Sequence, residues 1–404
     1  MNLREKFFPQ NRLGLDRFWN FSRGGIDNFR TGLRDAVSGV EQTRSRMMEY
    51  DQLLVWAVLS LMLIGLVMVY SASITLADGP KYANYSSNFF LIRHLISLAI
   101  AIGVGIWAFK IPSKVWDRYS PVIFGFTVIL LIAVLIPGIG KGVNGAKRWI
   151  PLGIMNFQPS ELMKFAAVIF AASYTVQRQE YLHSFSKGML PMGIAVALVG
   201  GLLMKEPDMG AFVVVALIAF GILFLGGINA KLFGGLIVVG LLSGAAMIAL
   251  SPFRRGRMLA FMDPWQVDNA ANKGYQLTHS LMAFGRGEWF GTGLGGSVEK
   301  LHYLPEAHTD FIMAVIGEEL GFVGVVVMIF LFYWIVRRAF MIGRTALQLD
   351  RSFAGLAAKG VAIWIGWQAF INMGVNLGLL PTKGLTLPLV SYGGSGILMN
   401  AVAI

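Results

Sequence analysis

The 404-residue chain contains no cysteine, and charged residues make up only 14% of it. Without cysteine there is no disulfide, no thiolate nucleophile and no zinc–thiolate site. Soluble domains usually contain about 25% charged residues, whereas 55% of this chain is hydrophobic. A water-soluble core cannot hide so large an apolar fraction. The composition therefore excludes a soluble enzyme and places most of the chain in lipid.

Acidic residues are scarce relative to basic ones, with 22 Asp and Glu against 34 Lys and Arg, which gives a net charge of +12. In a membrane protein this excess indicates cytoplasmic loops and contact with anionic membrane lipids rather than nucleic acid. The basic segment 1–50 lacks the short apolar run and small-residue cleavage site of a signal peptide. We therefore expect it to remain attached as a cytoplasmic tail.

Apolar stretches of the length that crosses a bilayer, about 20 residues, recur from Leu53 to the end of the chain. They lie near 52–72, 89–109, 119–138, 159–177, 187–205, 208–227, 231–250, 310–336, 353–378 and 384–404. Basic connections alternate with less basic ones, so the positive-inside rule predicts that both termini are cytoplasmic. The expected fold is an all-α polytopic membrane protein with ten transmembrane helices, divided into the tail 1–50 and a transmembrane domain 51–404.

Two connections on the predicted outer side are unusual. The connection 139–158 has three cations, Lys141, Lys147 and Arg148, where positive charge is normally avoided. Its glycine spacing alone is typical of ordinary turns, but together with this charge it favours a phosphate-binding loop. The second connection, 251–309, forms a long periplasmic loop between helices 7 and 8, and loops of this length tend to be functional or disordered.

The motif PEAHTDF, at the outer end of the eighth apolar stretch, has two compatible interpretations. Thr309 or Asp310 could cap the first turn of the helix, where the helix dipole favours an acid. A functional carboxylate here would instead lie at the membrane–water boundary, at the depth of a lipid-linked headgroup. Lys383, between the ninth and tenth stretches, also lies at the outer surface, and helix packing does not explain it.

Some charged residues fall well inside the predicted spans, although each costs about 2.5 to 3.5 kcal/mol at mid-bilayer. They are Glu161, Lys164, Glu318, Glu319 and Lys359. The favoured interpretation is a set of structural ion pairs between helices. The sequence does not determine which carboxylate meets which lysine. There is no HExxH motif, and the five histidines are too dispersed for a strong metal prediction.

Three long stretches resemble signature motifs of the SEDS family of shape, elongation, division and sporulation proteins. They are KRWIPLGIMNFQPSELMK, GYQLTHSLMAFGRGEWFGTGLGGSVEKLHYLPEAHTDFIMAVIGEELG and LPTKGLTLPLVSYGGSG. The resemblance covers about residues 47–404 and is closer to the division member of the family than to its rod-elongation member. It implies a ten-helix peptidoglycan glycosyltransferase that polymerises lipid II into glycan strands. The implied location is the bacterial inner membrane at the division septum.

The resemblance also implies roles for individual residues and partners. The family's essential loop aspartate corresponds to Asp310, and Arg148, Trp149 and Lys383 correspond to residues that line the substrate region. The implied partners are a class B penicillin-binding transpeptidase and divisome activator proteins.

These lines together give one mechanistic hypothesis, in which Asp310 acts as the general base of an inverting glycosyl transfer. Lys147, Arg148 and Lys383 are the candidates for holding the diphosphate leaving group, with room for a divalent cation such as Mg²⁺ or Mn²⁺. Glu306 and His308 are second-tier candidates for orienting the acceptor or the base. Trp149 would either stack on a sugar or anchor the chain at the membrane interface.

Two alternatives come from other functional classes. A lipid II flippase would use Lys164, Glu318 and Glu319 along a polar path across the membrane, and its outer loops would only gate release. A non-enzymatic divisome scaffold would recruit the transpeptidase and would need no base. The concentration of polar candidates on one membrane face favours the enzyme over both.

Overall fold

Helices make up most of the chain. The computed structural model describes residues 50–78, 85–143, 146–151, 153 and 156–404, so the predicted tail 1–50 lies outside the described residues apart from Tyr50. The α-helices are α1 (Gln52–Ser73), α2 (Phe89–Phe109), α3 (Ser113–Leu135), α4 (Pro159–Gln177), α5 (Leu190–Lys205), α6 (Met209–Leu225), α7 (Ala230–Ala249), α8 (Pro252–Met262), α9 (Val267–Ala271), α10 (Tyr275–Gly287), α11 (Ile312–Gln348), α12 (Ser352–Asn376) and α13 (Gly394–Ala403).

The connection between α3 and α4 contains a small antiparallel sheet, which the all-α expectation did not include. Its strands are β1 (Lys141–Val143), β2 (Ala146–Pro151) and β3 (Asn156–Phe157), in the order β1-β2-β3. The backbone N–H and C=O groups of this connection are satisfied by pairing across hairpins.

Apolar helices identify the chain as a helical, multi-pass membrane protein. In the described residues, six helical segments are long and apolar enough to cross a bilayer, and three further apolar helices are shorter. The six are Gln52–Leu76, Phe89–Phe109, Ser113–Leu135, Phe185–Lys205, Ile312–Gln348 and Ser352–Asn376. The count of ten spans and the cytoplasmic location of both termini stay predictions.

One predicted span and one predicted loop differ from the structure. The stretch predicted at 384–404 becomes helical only at Gly394, because Pro381 and Pro388 have no N–H to donate to a helical ladder. The predicted loop 251–309 is largely structured, since it contains α8, α9 and α10.

The stretch predicted at 310–336 is the 37-residue helix α11, which is interrupted at Gly321, where φ is 66°. A Cβ at Gly321 would lie 2.3 Å from the backbone nitrogen of Gly291, so only glycine permits this approach. Beside it, the N–H groups of Thr292 and Gly293 donate to the carbonyls of Glu318 and Glu319 at 2.9 and 3.1 Å. The connection after α10 therefore fixes the first part of α11.

The centre of the bundle consists of α4, α6 and α12. Within the compact unit Trp56–Ile404, α12 packs against α11, α6 and α4, while α3 packs on α4 and α2 on α13. Small buried residues on α4, such as Ala166, Ala167 and Ala171, allow these helices to approach closely. In contrast, α7 buries none of the side chains that the structure describes for it.

Candidate active site at a polar cavity

A polar cavity of about 630 Å³ opens among α4, α6, α8, β2, the segment before α11 and the segment after α12. Its charged lining residues are Arg93, Arg148, Glu161, Asp208, Arg254, Arg257, Glu306, Asp310 and Lys383. Trp149 also lines it. The cavity thus brings together most of the site residues that the sequence indicates, although β2, α11 and the segment after α12 are far apart in the chain.

Asp310 lies in the non-helical segment directly before α11. Burial raises the pKa of its carboxyl most, the charges of Glu306 and Asp208 also raise it, and the charge of Arg148 lowers it; together these effects give a pKa of about 7. The segment after α12 passes close by, since a Cβ at Gly384 would lie 3.0 Å from Asp310 Oδ2. A carboxyl with a pKa near neutral can both accept and release a proton under cellular conditions.

The expectation that Thr309 or Asp310 caps α11 is wrong. The N-cap residue is Phe311, which makes no side-chain cap bond. The Thr309 hydroxyl donates to the backbone oxygen and to Oε2 of Glu306, at 3.2 and 2.9 Å. The N–H of Ala314, in the first turn, donates to Asn376 Oδ1 at 3.2 Å. Asp310 is therefore not the cap of this helix.

Arg148 reaches the cavity through an irregularity in the sheet. The β1–β2 register passes from Lys141–Trp149 to Gly142–Lys147, which leaves Arg148 as an extra residue in a bulge. Bulges redirect side chains. The guanidinium donates to the backbone oxygen of Glu206 at 2.9 Å and to that of Pro207, so it also holds the connection between α5 and α6.

From the sequence, Lys147 and Arg148 are both candidates for holding the diphosphate, but only Arg148 lines the cavity. The Lys147 side chain is exposed and does not line the cavity, because neighbouring strand residues point to opposite faces. The sequence could not distinguish the two because the bulge is formed by tertiary pairing.

Two cations that the sequence reasoning missed, Arg254 and Arg257, line the cavity together with Lys383. Burial lowers the pKa of Lys383, and the charges of Arg254 and Arg257 lower it further. Partial burial and the charge of Arg148 lower the pKa of Arg257. Cations that repel one another in this way form a site suited to a multivalent anion.

A sequence signal for these arginines was available. Ser251 begins α8 as its N-cap, and its side chain accepts from the N–H of Arg254 at 3.5 Å. Arg254 and Arg257 are three residues apart and so share one helix face. The prediction of a long periplasmic loop over 251–309 assigns no helix there, so it makes no use of this spacing.

The connection between α5 and α6 contributes two acids that were also missed. Asp208 caps α6 by accepting from the N–H of Ala211 at 3.2 Å, and it accepts from the Ser160 hydroxyl at 3.0 Å. Glu206 is fully buried. Burial, with a smaller contribution from the charge of Asp208, raises the pKa of Glu206 to about 8, so it is mostly neutral at pH 7. Of these two acids, only Asp208 lines the cavity.

The remaining predicted site residues separate into two groups. Glu306 and Trp149 line the cavity. His308 does not, because it is buried with its ring 5.1 Å from that of Phe90 and 5.6 Å from that of Tyr392. Its backbone oxygen accepts from the N–H of Tyr392 at 3.0 Å. His308 therefore packs behind the Asp310 segment and is not placed to contact a substrate in the cavity.

The intramembrane charges form short-range networks, and one ion pair joins two helices, since Arg286 Nε of α10 lies 3.7 Å from Glu318 Oε1 of α11. Lys164 pairs within its own helix with Glu161 at 2.7 Å and donates to Gln368 of α12 at 2.8 Å. Lys359 is half-buried, with its stem against Gly343 of α11, and forms no ion pair with the described residues.

Glu318 and Glu319 on α11 bind the connection that precedes it. Glu319 pairs with Lys300 at 2.6 Å and accepts from the Ser71 hydroxyl at 2.7 Å. Glu318 accepts from the N–H of Val298 at 2.9 Å. Both carboxylates are fully buried and bonded, so they hold the 297–300 segment against the bundle.

A divalent cation at the site is one of the expectations from the sequence. Among the described residues, no three His, Asp or Glu side chains are grouped as the ligands of such a cation would be. The divalent cation stays a prediction.

Comparison with known proteins identifies a family and several relatives that match nearly the whole chain. The model of the FtsW, RodA and SpoVE family, described as cell cycle proteins, matches residues 52–404. The chain is 95% identical to the probable peptidoglycan glycosyltransferase FtsW of Polynucleobacter necessarius subsp. necessarius (strain STIR1), over all of this chain and 96% of the relative. It is 64% identical to the corresponding protein of Burkholderia thailandensis, over 92% of this chain and 81% of that one.

Solved structures share the fold. One is a chain from a structure that concerns the structural coordination of polymerization and crosslinking by a peptidoglycan synthase complex. It matches with a TM-score of 0.71 and 28% identity over 88% of this chain and 95% of that chain. The rod shape determining protein RodA of Thermus thermophilus matches with a TM-score of 0.60 and 26% identity, over 88% of this chain and 94% of that one.

Proposed function

The chain belongs to the FtsW, RodA and SpoVE family of cell cycle proteins, and on that premise we propose that it is a peptidoglycan glycosyltransferase with its active site in the polar cavity. One observation supports this most strongly. Asp310, with a pKa raised to about 7, shares a single cavity with Arg148, Lys383 and Arg254. A proton acceptor next to clustered cations suits the transfer of a sugar from a diphosphate leaving group.

In the proposed reaction, Asp310 accepts the proton of the 4-hydroxyl of N-acetylglucosamine on one lipid II molecule. The oxygen attacks C1 of N-acetylmuramic acid in the other substrate, a second lipid II or a growing strand. The bond from C1 to the diphosphate oxygen breaks, so the anomeric centre inverts and undecaprenyl diphosphate leaves. A general base of this kind supplies about 10²- to 10⁴-fold, and alignment and charge stabilisation supply the remainder.

The cations around the cavity receive the negative charge of the leaving diphosphate. Arg148 uses part of its guanidinium on the carbonyls of Glu206 and Pro207, so it also shapes the site. Lys383, Arg254 and Arg257 therefore bear a larger share of the diphosphate contact. Trp149, on the cavity wall, is placed to pack against a sugar ring.

The lipid II flippase is less well supported. Lys164, Glu318 and Glu319 are fully buried, each is bonded to neighbouring groups, and none lines the cavity. Groups that are locked in this way do not form a path across the membrane. A pure scaffold would leave the raised pKa of Asp310 and the gathered cations without a role.

The proposed location is the bacterial cell membrane at the division septum, where the chain would work with a class B penicillin-binding transpeptidase and divisome activators. The relatives named FtsW support the membrane location. The similar solved structure, described as a peptidoglycan synthase complex that coordinates polymerization and crosslinking, supports a transpeptidase partner.

The direct test supplies the purified full-length protein, alone and with its transpeptidase, with labelled lipid II in detergent, and separates the products by size. We expect glycan ladders from the wild type and a rate about 10²- to 10⁴-fold lower from Asp310→Asn. Unchanged ladders from Asp310→Asn would refute the assigned base. A parallel liposome assay in which lipid II crosses the bilayer without polymer formation would favour the flippase.

A further inference from the structure

Two asparagines on α12, Asn372 and Asn376, are buried one helical turn apart. Both side-chain amides donate to the backbone oxygen of Asp310, at 2.8 and 3.0 Å. Burying an amide without a partner costs about 1 to 3 kcal/mol, so two of them on an intramembrane helix need such acceptors. Their common acceptor is the carbonyl of the residue that we assign as the base.

Asn372 also binds the neighbouring segment of the cavity wall, the one that follows α12. Its amide donates to the backbone oxygen of Leu385 at 2.6 Å as well as to that of Asp310. Leu385 lies two residues after Lys383, and its N–H donates to the Lys383 carbonyl at 3.1 Å. One planar side chain therefore links the segment that bears the carboxylate to the segment that bears the lysine.

Asn376 completes the link to α11. Its Oδ1 accepts from the N–H of Ala314, and its amide donates to the backbone oxygen of Asn372 at 2.9 Å as well as to Asp310. It thus takes the place of the missing side-chain cap at the start of α11. A rotation of either asparagine would break bonds to both the helix and the Asp310 segment.

Ser391 makes an independent connection between the same two segments. Its hydroxyl donates to the backbone oxygen of Thr309 at 2.7 Å and accepts from the N–H of Leu387 at 2.7 Å. The carbonyls of Thr309 and Asp310 are therefore both held by side chains from outside their own segment. Neither carbonyl belongs to a regular helix.

We propose that Asn372, Asn376 and Ser391 form a clamp of positioning residues that sets the carboxylate of Asp310 relative to Lys383. The proposal rests on the function proposed above. An ordinary core amide needs only to satisfy its own polar atoms, whereas this clamp directs its donors to two neighbouring irregular segments that both line one cavity. The clamp residues act through the backbone and do not contact substrate.

The clamp should affect the chemical step more than substrate binding. Displacement of a reacting group by about 1 Å can cost about 10²-fold in rate. Three of the cations assigned to the diphosphate, Arg148, Arg254 and Arg257, lie on β2 and α8, outside the segments that the clamp joins. We therefore expect Asn372→Leu to lower kcat by about 10- to 100-fold and to change KM by less than about 3-fold.

The pH dependence gives a second readout. A released Asp310 segment would admit water to the carboxyl, while Glu306, Arg148 and Asp208 would still surround it. Better hydration lowers the pKa of a buried carboxyl. The acid limb of the kcat profile should therefore move to lower pH in Asn372→Leu, which a purely structural amide would not cause.

The experiment compares Asn372→Leu, Asn376→Leu and the control Asn400→Leu in the full-length protein with labelled lipid II. Asn400 is a buried asparagine on α13 that does not line the cavity. We expect the control to retain a kcat within about 2-fold of wild type, with an unchanged acid limb. Thermal unfolding of each variant reports any loss of folded protein.

Ser391→Ala keeps the proposal testable if either leucine variant fails to fold, because it removes only a hydroxyl. Its kcat should fall by about 3- to 10-fold with KM nearly unchanged. A wild-type kcat and acid limb in Ser391→Ala and in the folded leucine variants would overturn the clamp. So would a loss of kcat equal to that of Asn400→Leu.

The outcomes also separate the clamp from the function on which it rests. An Asp310→Asn variant that polymerises normally would remove the base, and with it the proposed function. An inactive Asp310→Asn variant alongside fully active clamp variants would remove the clamp alone.

Discussion

Two sets of charged residues in the same bundle differ in how their charges are satisfied. The network of Glu319 and Lys300 is fully enclosed, with a 2.6 Å ion pair supported by Ser71. Around the polar cavity, Asp310, Arg257 and Lys383 face open volume, and their pKa values are displaced by burial and by neighbouring charge. Enclosed pairs stabilise one arrangement of the chain, whereas cavity charges remain available to a ligand.

This difference separates structural from chemical charges where the sequence could not. Glu318, Glu319 and Asp310 lie within ten residues of one another in the chain. The first two accept hydrogen bonds from the segment 297–300, and only Asp310 lines the cavity. If the distinction is correct, mutation should damage the enclosed set through stability and the cavity set through catalysis.

The largest expected effect comes from breaking the enclosed pair. Lys300→Met leaves the Glu319 carboxylate buried without its cation, and breaking a buried pair typically costs about 3 to 5 kcal/mol. We expect a marked fall in the melting temperature of the detergent-solubilised protein. Lys359→Met is the matched control, since Lys359 is half-buried and has no ion pair among the described residues, and it should melt close to wild type.

The double variant Lys300→Met with Glu319→Gln sharpens this comparison. Removing both charges eliminates the uncompensated carboxylate, so most of the lost stability should return. Equal melting temperatures for the single and double variants would show that the pair charge is not what holds this segment.

An intermediate effect is expected on the cavity side, where two arginines of α8 form a matched pair of targets. Arg254 lines the cavity, whereas the exposed Arg255 does not. Losing one charge-assisted hydrogen bond of about 1.5 kcal/mol corresponds to roughly 10-fold. Arg254→Ala should lower kcat/KM for lipid II polymerisation by about this factor without changing the melting temperature.

Arg255→Ala should leave both the rate and the melting temperature near wild type. Equal losses of activity in the two alanine variants would mean that α8 acts through its general positive charge. The assignment of Arg254 to the cavity would then lose its support.

The sequence predicts the membrane-embedded helical fold and several cavity residues well, because apolar length and family motifs are local signals. Asp310, Trp149 and Lys383 are identified in this way and share the cavity. Lys147 and His308 fail for different reasons. A strand bulge selects Arg148 over Lys147, and packing against Phe90 and Tyr392 buries His308. Both events depend on contacts between distant segments, which no local pattern encodes.

The same limit applies to Asp208 and Arg254. Each looks like an ordinary helix-start residue in the sequence, and Asp208 is in fact an N-cap. They become cavity residues only because α6 and α8 begin at the same opening. Chain segments that meet through tertiary packing therefore supply the part of the site that the sequence did not predict.

The base itself has a stability cost that depends on pH. The ordinary pKa of an aspartate, 3.8, is raised to about 7 at Asp310 in the folded protein. Between these values the unfolded chain is ionised while the folded protein is protonated, so stability falls as pH rises through this window and is then constant. Asparagine is neutral throughout. Asp310→Asn should therefore melt higher than wild type at about pH 8, and the gain should shrink towards about pH 5.

The exposed Asp268, on α9, provides the matched control, and Asp268→Asn should show no such pH-dependent gain. The wild-type polymerisation rate should rise with pH through about 7, because only the ionised Asp310 can accept the proton. The stability of the wild type should therefore fall with pH while its polymerisation rate rises. Both changes arise from the Asp310 carboxyl, because the ionised form that catalyses is also the form that burial destabilises. A melting temperature of Asp310→Asn that follows wild type at every pH would break this link, and the base would then have no measurable cost to the fold.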